Sequence, residues 1–131
     1  MLEHATDPDR LVAECARVLQ SGGRAFFSMP FSYPEHEVPY DFRRFTSFEH
    51  KRLFAKYGFT NITITKTTGF SGTFAQLFIV WVFESIPFRS TILKSLLTAF
   101  IFAPIQMVGL AFDWLTGKSG LTMDYIITLE S

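Results

Sequence analysis

The chain has 131 residues, enough for one domain or a large part of one, with 12 basic and 12 acidic side chains. Zero formal net charge argues against an electrostatically driven nucleic-acid binder, and a single cysteine rules out an internal disulfide framework or a cysteine-based zinc site. Phenylalanine is abundant, at 16 of 131 residues, and hydrophobic residues make up 48% of the chain, unevenly spread.

The first thirty residues read as the end of a strand, a helix and a second strand. Asp7 is suited to cap a helix and Pro8 to occupy its first position, where a missing N–H costs nothing. Leu11, Cys15, Val18 and Leu19 recur at helical spacing, which makes Cys15 a packing residue. Gly22 is positioned to stop that helix through a positive φ, and Gly23 to loosen the turn. Arg24 to Met29, closed by Pro30, is a short apolar run expected as a strand buried on both faces of a sheet. Helix, Gly-Gly turn and buried strand make half of a parallel α/β unit.

These residues resemble the class I S-adenosylmethionine-dependent methyltransferases, in particular the small-molecule, type 11-like branch. The resemblance rests on Leu2-Glu3-His4, Asp7-Pro8, Arg17-Val18-Leu19, Gly22-Gly23 and the strand from Arg24 to Met29, in that order. Tyr33-Pro34-Glu35-His36-Glu37 and Asp41-Phe42-Arg43-Arg44-Phe45-Thr46 extend it. It covers the chain well to about Gly69, loosely from Met123 to Glu130, and between them only in apolar character. It implies an α/β fold that is the C-terminal half of a Rossmann-like seven-stranded methyltransferase. Strands five, seven and six would remain in that order, with the seventh antiparallel between the others. The abrupt start implies that strand four and the preceding half are absent. That would leave the edge of strand five unpaired and adhesive.

Thr46 with Glu49 forms a capping box before a helix from Ser47 to Tyr57. Phe48, Leu53, Phe54 and Tyr57 are its expected apolar side, Gly58 its end, and His50 a solvated surface residue. Asn61 to Lys66 alternates Ile with Thr, as a half-exposed strand does, and Met123 to Leu129 is a further strand.

Between these strands lies a hydrophobic helical insert, residues 70–122, within a single partial methyltransferase domain, 1–131. Thr67 to Phe83 carries no charge, nor does the 18-residue run from Ser95 to Phe112, which is the lower edge for spanning a bilayer. Pro104 and Gln106 interrupt the second run, Lys94, Asp113 and Lys118 flank it, and Trp81 and Trp114 suit an interface. Two helices joined by Glu84 to Ser90 are expected. Three arrangements stay open: packing as a lid or dimer surface, a hairpin in one leaflet with contact through 73–83 and 95–112, or true spanning. The start of the chain shows no signal peptide, so the expected location is cytoplasmic, with membrane association through the insert.

Ligands of open α/β sheets sit beyond the carboxyl ends of the strands, which points to the segments Leu2 to Ala5 and Pro30 to Asp41. By the resemblance, Glu3 and His4 are the residues nearest the cofactor S-adenosylmethionine. His4 is a candidate base or substrate-orienting group, or alternatively a local cap, and Glu3 a loop brace. His36, between Glu35 and Glu37, is a second candidate base, or part of an exposed charged loop. Asp41, Arg43 and Arg44 are candidates to bind a polar or anionic acceptor group, or to pair with one another. Glu37 belongs to the same substrate set, and Tyr33 and Tyr40 would wall the pocket.

No metal is expected, because Glu35-His36-Glu37 lack the i, i+4 spacing of a zinc motif and no second histidine is near in sequence. The sequence has no Gly-x-Gly-x-Gly pattern, which in this family grips the cofactor, so the chain alone is not expected to hold S-adenosylmethionine tightly. The function implied is methyl transfer to a small-molecule, lipid-linked or glycan-type acceptor. The alternative is a non-catalytic membrane-associated or partner-binding module derived from such a half-domain. A dimer, or a separate N-terminal half, is the expected protein partner.

Overall fold

The structure is a computed structural model, and it describes residues 2–86, 90–118 and 120–131. Among the described residues ten elements follow one another: a 3-10 turn (Leu2–His4), α1 (Pro8–Val18), β1 (Arg24–Pro30), α2 (Ser47–Lys56), β2 (Thr60–Lys66), α3 (Phe70–Ser85), α4 (Thr91–Leu97), a π-helical turn (Thr98–Phe102), α5 (Ala103–Thr116) and β3 (Asp124–Glu130). They divide into two compact units, residues 2–67 with 124–131, and residues 68–123.

The first unit is built on a three-stranded sheet of order β1-β3-β2, in which β3 is central and antiparallel to both neighbours. Inward positions Phe27 and Met29 on β1, with Tyr125, Ile127 and Leu129 on β3, meet Val12 of α1 and Leu53 and Phe54 of α2 in one apolar core. Asp7 caps α1 by accepting from the Arg10 amide at 3.0 Å, with Pro8 at the first position. Cys15 packs against the core, and burial pushes its thiol pKa up.

Five local expectations are corrected. Residues 2–4 form a 3-10 turn rather than the end of a strand, and the Glu3 carbonyl accepts from the Phe42 amide at 3.0 Å. A lone loop contact satisfies one group where a strand would need a ladder. Helix α1 ends at Val18, before the Gly-Gly pair, and Gly22 takes φ +75 in the turn that follows. Strand β1 is covered on one face only. Phe26 is 70% exposed, because both helices of this unit pack on the side of Phe27 and Met29.

On α2, Phe48 is 85% exposed whereas His50 is fully buried, among Phe45, Phe54 and Tyr125. Leu53, Phe54 and Tyr57 face the core as expected, and His50 joins them because it lies three and four residues before Leu53 and Phe54, a spacing that Phe48 lacks. The capping box is half made. Thr46 accepts from the Glu49 amide at 3.3 Å, but the Glu49 carboxylate turns to Arg52.

The second unit pairs α3 with α5. Asp113, buried on α5, accepts from the backbone amides of Gly69, Ser71 and Gly72 at 2.6, 2.9 and 3.0 Å, so one carboxylate caps the first turn of α3. Above it the two helices touch through small residues: a Cβ on Gly109 would stand 2.9 Å from the Ser71 carbonyl and 3.0 Å from the Ala75 Cβ. Gln106 donates to the Gly72 carbonyl at 3.3 Å, which gives that mid-run polar group a partner.

Pro104 does not break the second helix. The π-helical turn just before it shifts the hydrogen-bond ladder by one residue, with the Ala103 amide reaching the Thr98 carbonyl. Helix therefore runs on from Thr91 to Thr116, 26 residues, of whose most apolar stretch 11% is buried. It is long and apolar enough to cross a membrane by length and composition. Part of the expected joint, Glu84 to Ser90, lies outside the described residues.

Candidate functional site

The candidate residues gather beyond the carboxyl end of β1, where the loop of residues 31–46 folds back over the 3-10 turn. Four hydrogen bonds tie the loop to the turn and the two residues after it. The Arg43 guanidinium donates to the carbonyls of Ala5 and, at 3.2 Å, Thr6. The Phe42 amide donates to Glu3, and His4 Nδ1 lies 2.9 Å from the Tyr40 carbonyl. A carbonyl only accepts, so His4 donates from Nδ1, which leaves Nε2 as the nitrogen turned to the rest of the site.

The His4 Nε2 atom faces carboxylates, 3.5 Å from Glu3 Oε1 and 3.8 Å from Glu37 Oε2. Glu3 is 5% exposed, Glu37 mostly exposed with φ +52, a left-handed backbone that a non-glycine residue adopts in a tight turn. That turn closes with the Tyr40 amide on the Glu37 carbonyl at 2.9 Å and contains the cis Val38–Pro39 bond.

His36 meets His4 edge to face with ring centroids 4.9 Å apart, and Tyr33 packs edge-on to His36 at 5.6 Å. His36 Nδ1 is 3.2 Å from the Pro34 carbonyl and 3.2 Å from Asp41 Oδ2, both acceptors, so it too donates from Nδ1. Asp41 also accepts from the His36 amide at 3.1 Å.

Asp41 and Arg44 form a two-armed ion pair, one arm 2.6 Å long. This hydrogen bond from Arg44 holds the Asp41 carboxyl well below the usual carboxylate range, against its burial, and pushes the Arg44 pKa up. Arg44 also donates to the carbonyls of Tyr33, Pro34 and Arg43. Tyr33, Asp41, Phe42, Arg43, Arg44 and Glu35 line a shallow depression of about 240 Å³. Tyr40 lies beside it, 63% exposed and edge-on to Phe42.

The structure thus brings Glu3, His4, Tyr33, His36, Glu37, Asp41, Arg43 and Arg44 into one neighbourhood. His50 is not part of it and sits in the core, with its pKa lowered to about 4 by burial. Two contributors had no signal in the sequence. One is the Tyr40 carbonyl, which accepts from His4 Nδ1. The other is Asp124, opposite Pro30 at the end of β1, whose carboxyl is pushed up by burial and then by the charge of Glu3. Glu3, His4 and His36 each offer a donor atom within 4.8 Å of the others, a proximity that local spacing could not reveal.

S-adenosylmethionine is the cofactor the sequence resemblance implies, and the residues present do not make its cradle by themselves. The glycines between β2 and α3, Gly69 and Gly72, have their amides taken by Asp113, and the depression is lined by an ion pair whose bonds are used internally.

No family model matches the chain, and no curated protein matches it. Among solved structures it resembles phosphoethanolamine N-methyltransferase 2 of Haemonchus contortus in complex with S-adenosyl-L-methionine. That match has a TM-score of 0.51 at 13% identity, over 100% of this chain and 31% of that one. A second structure of that enzyme, with phosphomonomethylethanolamine and S-adenosylhomocysteine, has a TM-score of 0.48 at 13% identity, over 98% of this chain and 31% of the other. The chain spans less than a third of the length of the structures it matches. The likeness is one of fold: a mixed α/β chain with a three-stranded antiparallel sheet that matches part of an S-adenosylmethionine-dependent methyltransferase fold.

Proposed function

We propose that this chain is the acceptor-side, C-terminal part of a class I S-adenosylmethionine-dependent methyltransferase, acting on a small-molecule, lipid-linked or glycan-type acceptor. The observation that carries the reading is the convergence of His4 and His36 at the end of β1, in a fold whose whole length matches part of a methyltransferase. The cofactor, when bound, supplies the methyl group. Glu3 and His4 are the residues of this chain proposed to face it, and the rest of its grip would come from polypeptide other than these residues.

The chain's own side chains have two tasks in this reading. The Nε2 of His4 or His36 takes the proton from an acceptor hydroxyl or amine, a contribution of roughly 10²–10⁴-fold for a positioned base. Glu3 and Glu37 stabilise the imidazolium that forms on His4. The loop held by Arg43 and Arg44 fixes the acceptor against Tyr33, and alignment of this kind contributes several kcal/mol.

Transfer of radiolabelled methyl from S-adenosylmethionine to candidate acceptors, by the chain joined to an upstream Gly-rich half, tests the reading. His4→Ala and His36→Ala should each lower the rate, and equal rates in all three proteins would sink it.

A second reading is favoured by one observation, the exposed 26-residue helix Thr91–Thr116. At 1.5 Å per residue it is about 39 Å long, and a bilayer's hydrocarbon core is about 30 Å thick. In that reading the chain is a membrane-associated or partner-binding module without activity of its own. Flotation with liposomes and calorimetric titration with S-adenosylmethionine separate the two. Flotation without cofactor binding supports the module, and micromolar cofactor binding rules it out.

A further inference from the structure

We propose that His4, His36 and Glu3 form a binding site for a divalent first-row transition-metal ion, of which Zn²⁺ is the natural probe. Three donor atoms from two separate segments already lie within 4.8 Å of one another. Ligand atoms around a tetrahedral zinc stand roughly 3.3–3.6 Å apart, as bond lengths of about 2.0–2.2 Å require, so closure asks for side-chain movement of about an ångström. The set of two imidazoles and one carboxylate is that of catalytic zinc sites, which keep a fourth position open.

The stronger argument is how the imidazoles are held. A ligating histidine donates its other ring N–H to a carbonyl or carboxylate, which fixes tautomer and aim. His4 does this with the Tyr40 carbonyl, and His36 with the Pro34 carbonyl and the Asp41 carboxylate. Asp41 is itself pinned by Arg44, so the support extends one layer further out. Both rings therefore have Nδ1 engaged by an acceptor, and Nε2 is the nitrogen left to ligate an ion, giving up a proton where it carries one. Glu37 Oε2, 3.8 Å from His4 Nε2, is placed to approach as a fourth, exchangeable ligand.

The ion changes the chemistry assigned to the two imidazoles. With their lone pairs on a cation they no longer take the acceptor's proton. The cation would instead polarise the acceptor oxygen and lower its proton affinity, so that its proton is released to water before the oxygen takes the methyl group. That role rests on the methyl-transfer reading; the binding itself does not, and is measured without cofactor or acceptor.

The test uses the 131-residue chain with any affinity tag removed, titrated with Zn²⁺ by calorimetry and with Co²⁺ by visible absorption. The chain has only three histidines, and the buried His50 serves as an internal control. Stoichiometric Zn²⁺ should shift the Nε2 resonances of His4 and His36 in nitrogen-15 spectra and leave His50 unmoved, a readout that needs no substitution. His4→Ala and His36→Ala should each weaken binding by well over tenfold, and Asp41→Asn, acting through His36, by about 10–100-fold. No stoichiometric binding to the unsubstituted chain overturns the proposal. So does unchanged affinity in both histidine variants, or a shift confined to His50. Loss of methyl transfer with Zn²⁺ binding intact would count against the transfer reading alone.

Discussion

The rings of His4 and His36 meet edge to face at 4.9 Å, although helix α1 and strand β1 lie between them in sequence. The contact exists because Arg43 ties the loop after β1 to Ala5 and Thr6, while Asp41 holds His36 through both its amide and its Nδ1. Everything proposed for the site depends on that loop keeping its fold.

The Arg44 guanidinium is the loop's main fastener. Arg44→Lys keeps the charge but offers one ammonium in place of a planar fork, and so cannot bridge Asp41 and the carbonyls of Tyr33 and Pro34 together. The loop of residues 31–46 should become cleavable by protease while the helical content of the chain is unchanged. Limited proteolysis with mass spectrometry reads this directly, and equal resistance would show that Arg44 is dispensable to the loop.

The buried His50 makes stability depend on pH. Burial lowers its pKa from 6.5 to about 4, so between those values the unfolded chain binds the proton that the folded chain refuses. Stability is therefore fully present above about pH 6.5 and is lost as pH falls towards 4. The loss is on the order of 2 kcal/mol, allowing for residual solvent screening. His50→Leu should flatten this part of a urea-unfolding series run from pH 7 to pH 4.

Removing the Asp113 carboxylate leaves three amides at the start of α3 without their acceptor. Asp113→Ala should destabilise the α3–α5 pair by at least about 2 kcal/mol, and Asp113→Asn by less, since its amide oxygen still accepts. Thermal unfolding followed by circular dichroism checks the order of the three proteins. An alanine variant as stable as the parent would remove the capping role.

The close helix contact at Gly109 leaves no room for a side chain. Gly109→Ala places a Cβ against the Ser71 carbonyl and the Ala75 methyl, and should cost about 1–3 kcal/mol by forcing the helices apart. Thermal unfolding followed by circular dichroism checks this, and an alanine variant as stable as the parent would show that the contact opens without cost.

Much of the frame was legible before any coordinates. The Asp7-Pro8 start of α1, the Thr46 cap of α2, the Ile–Thr alternation of β2 and the apolar runs of α3 and α5 are local signals. Each arises from residues within one or two turns, and each became the element expected. A three-stranded sheet with helices packed on it, in a mixed α/β chain, was expected as well, and β3 lies antiparallel between β1 and β2.

What the sequence could not determine were the quantities that depend on partners distant in the chain. His50 looks like a surface residue on its helix, and only packing against Phe45 and Tyr125 shows that it is core. Phe26 looks buried, and only the placement of both helices on one side of the sheet leaves it 70% exposed. The approach of His4 to His36 has no local spacing to announce it, because long-range loop closure sets it and not helical or strand periodicity. Residue types and their order decided which elements form, since capping, periodicity and turn chemistry act over a few residues. The tertiary structure alone decided which side chains meet, since burial and hydrogen bonding between distant segments are properties of the packed chain.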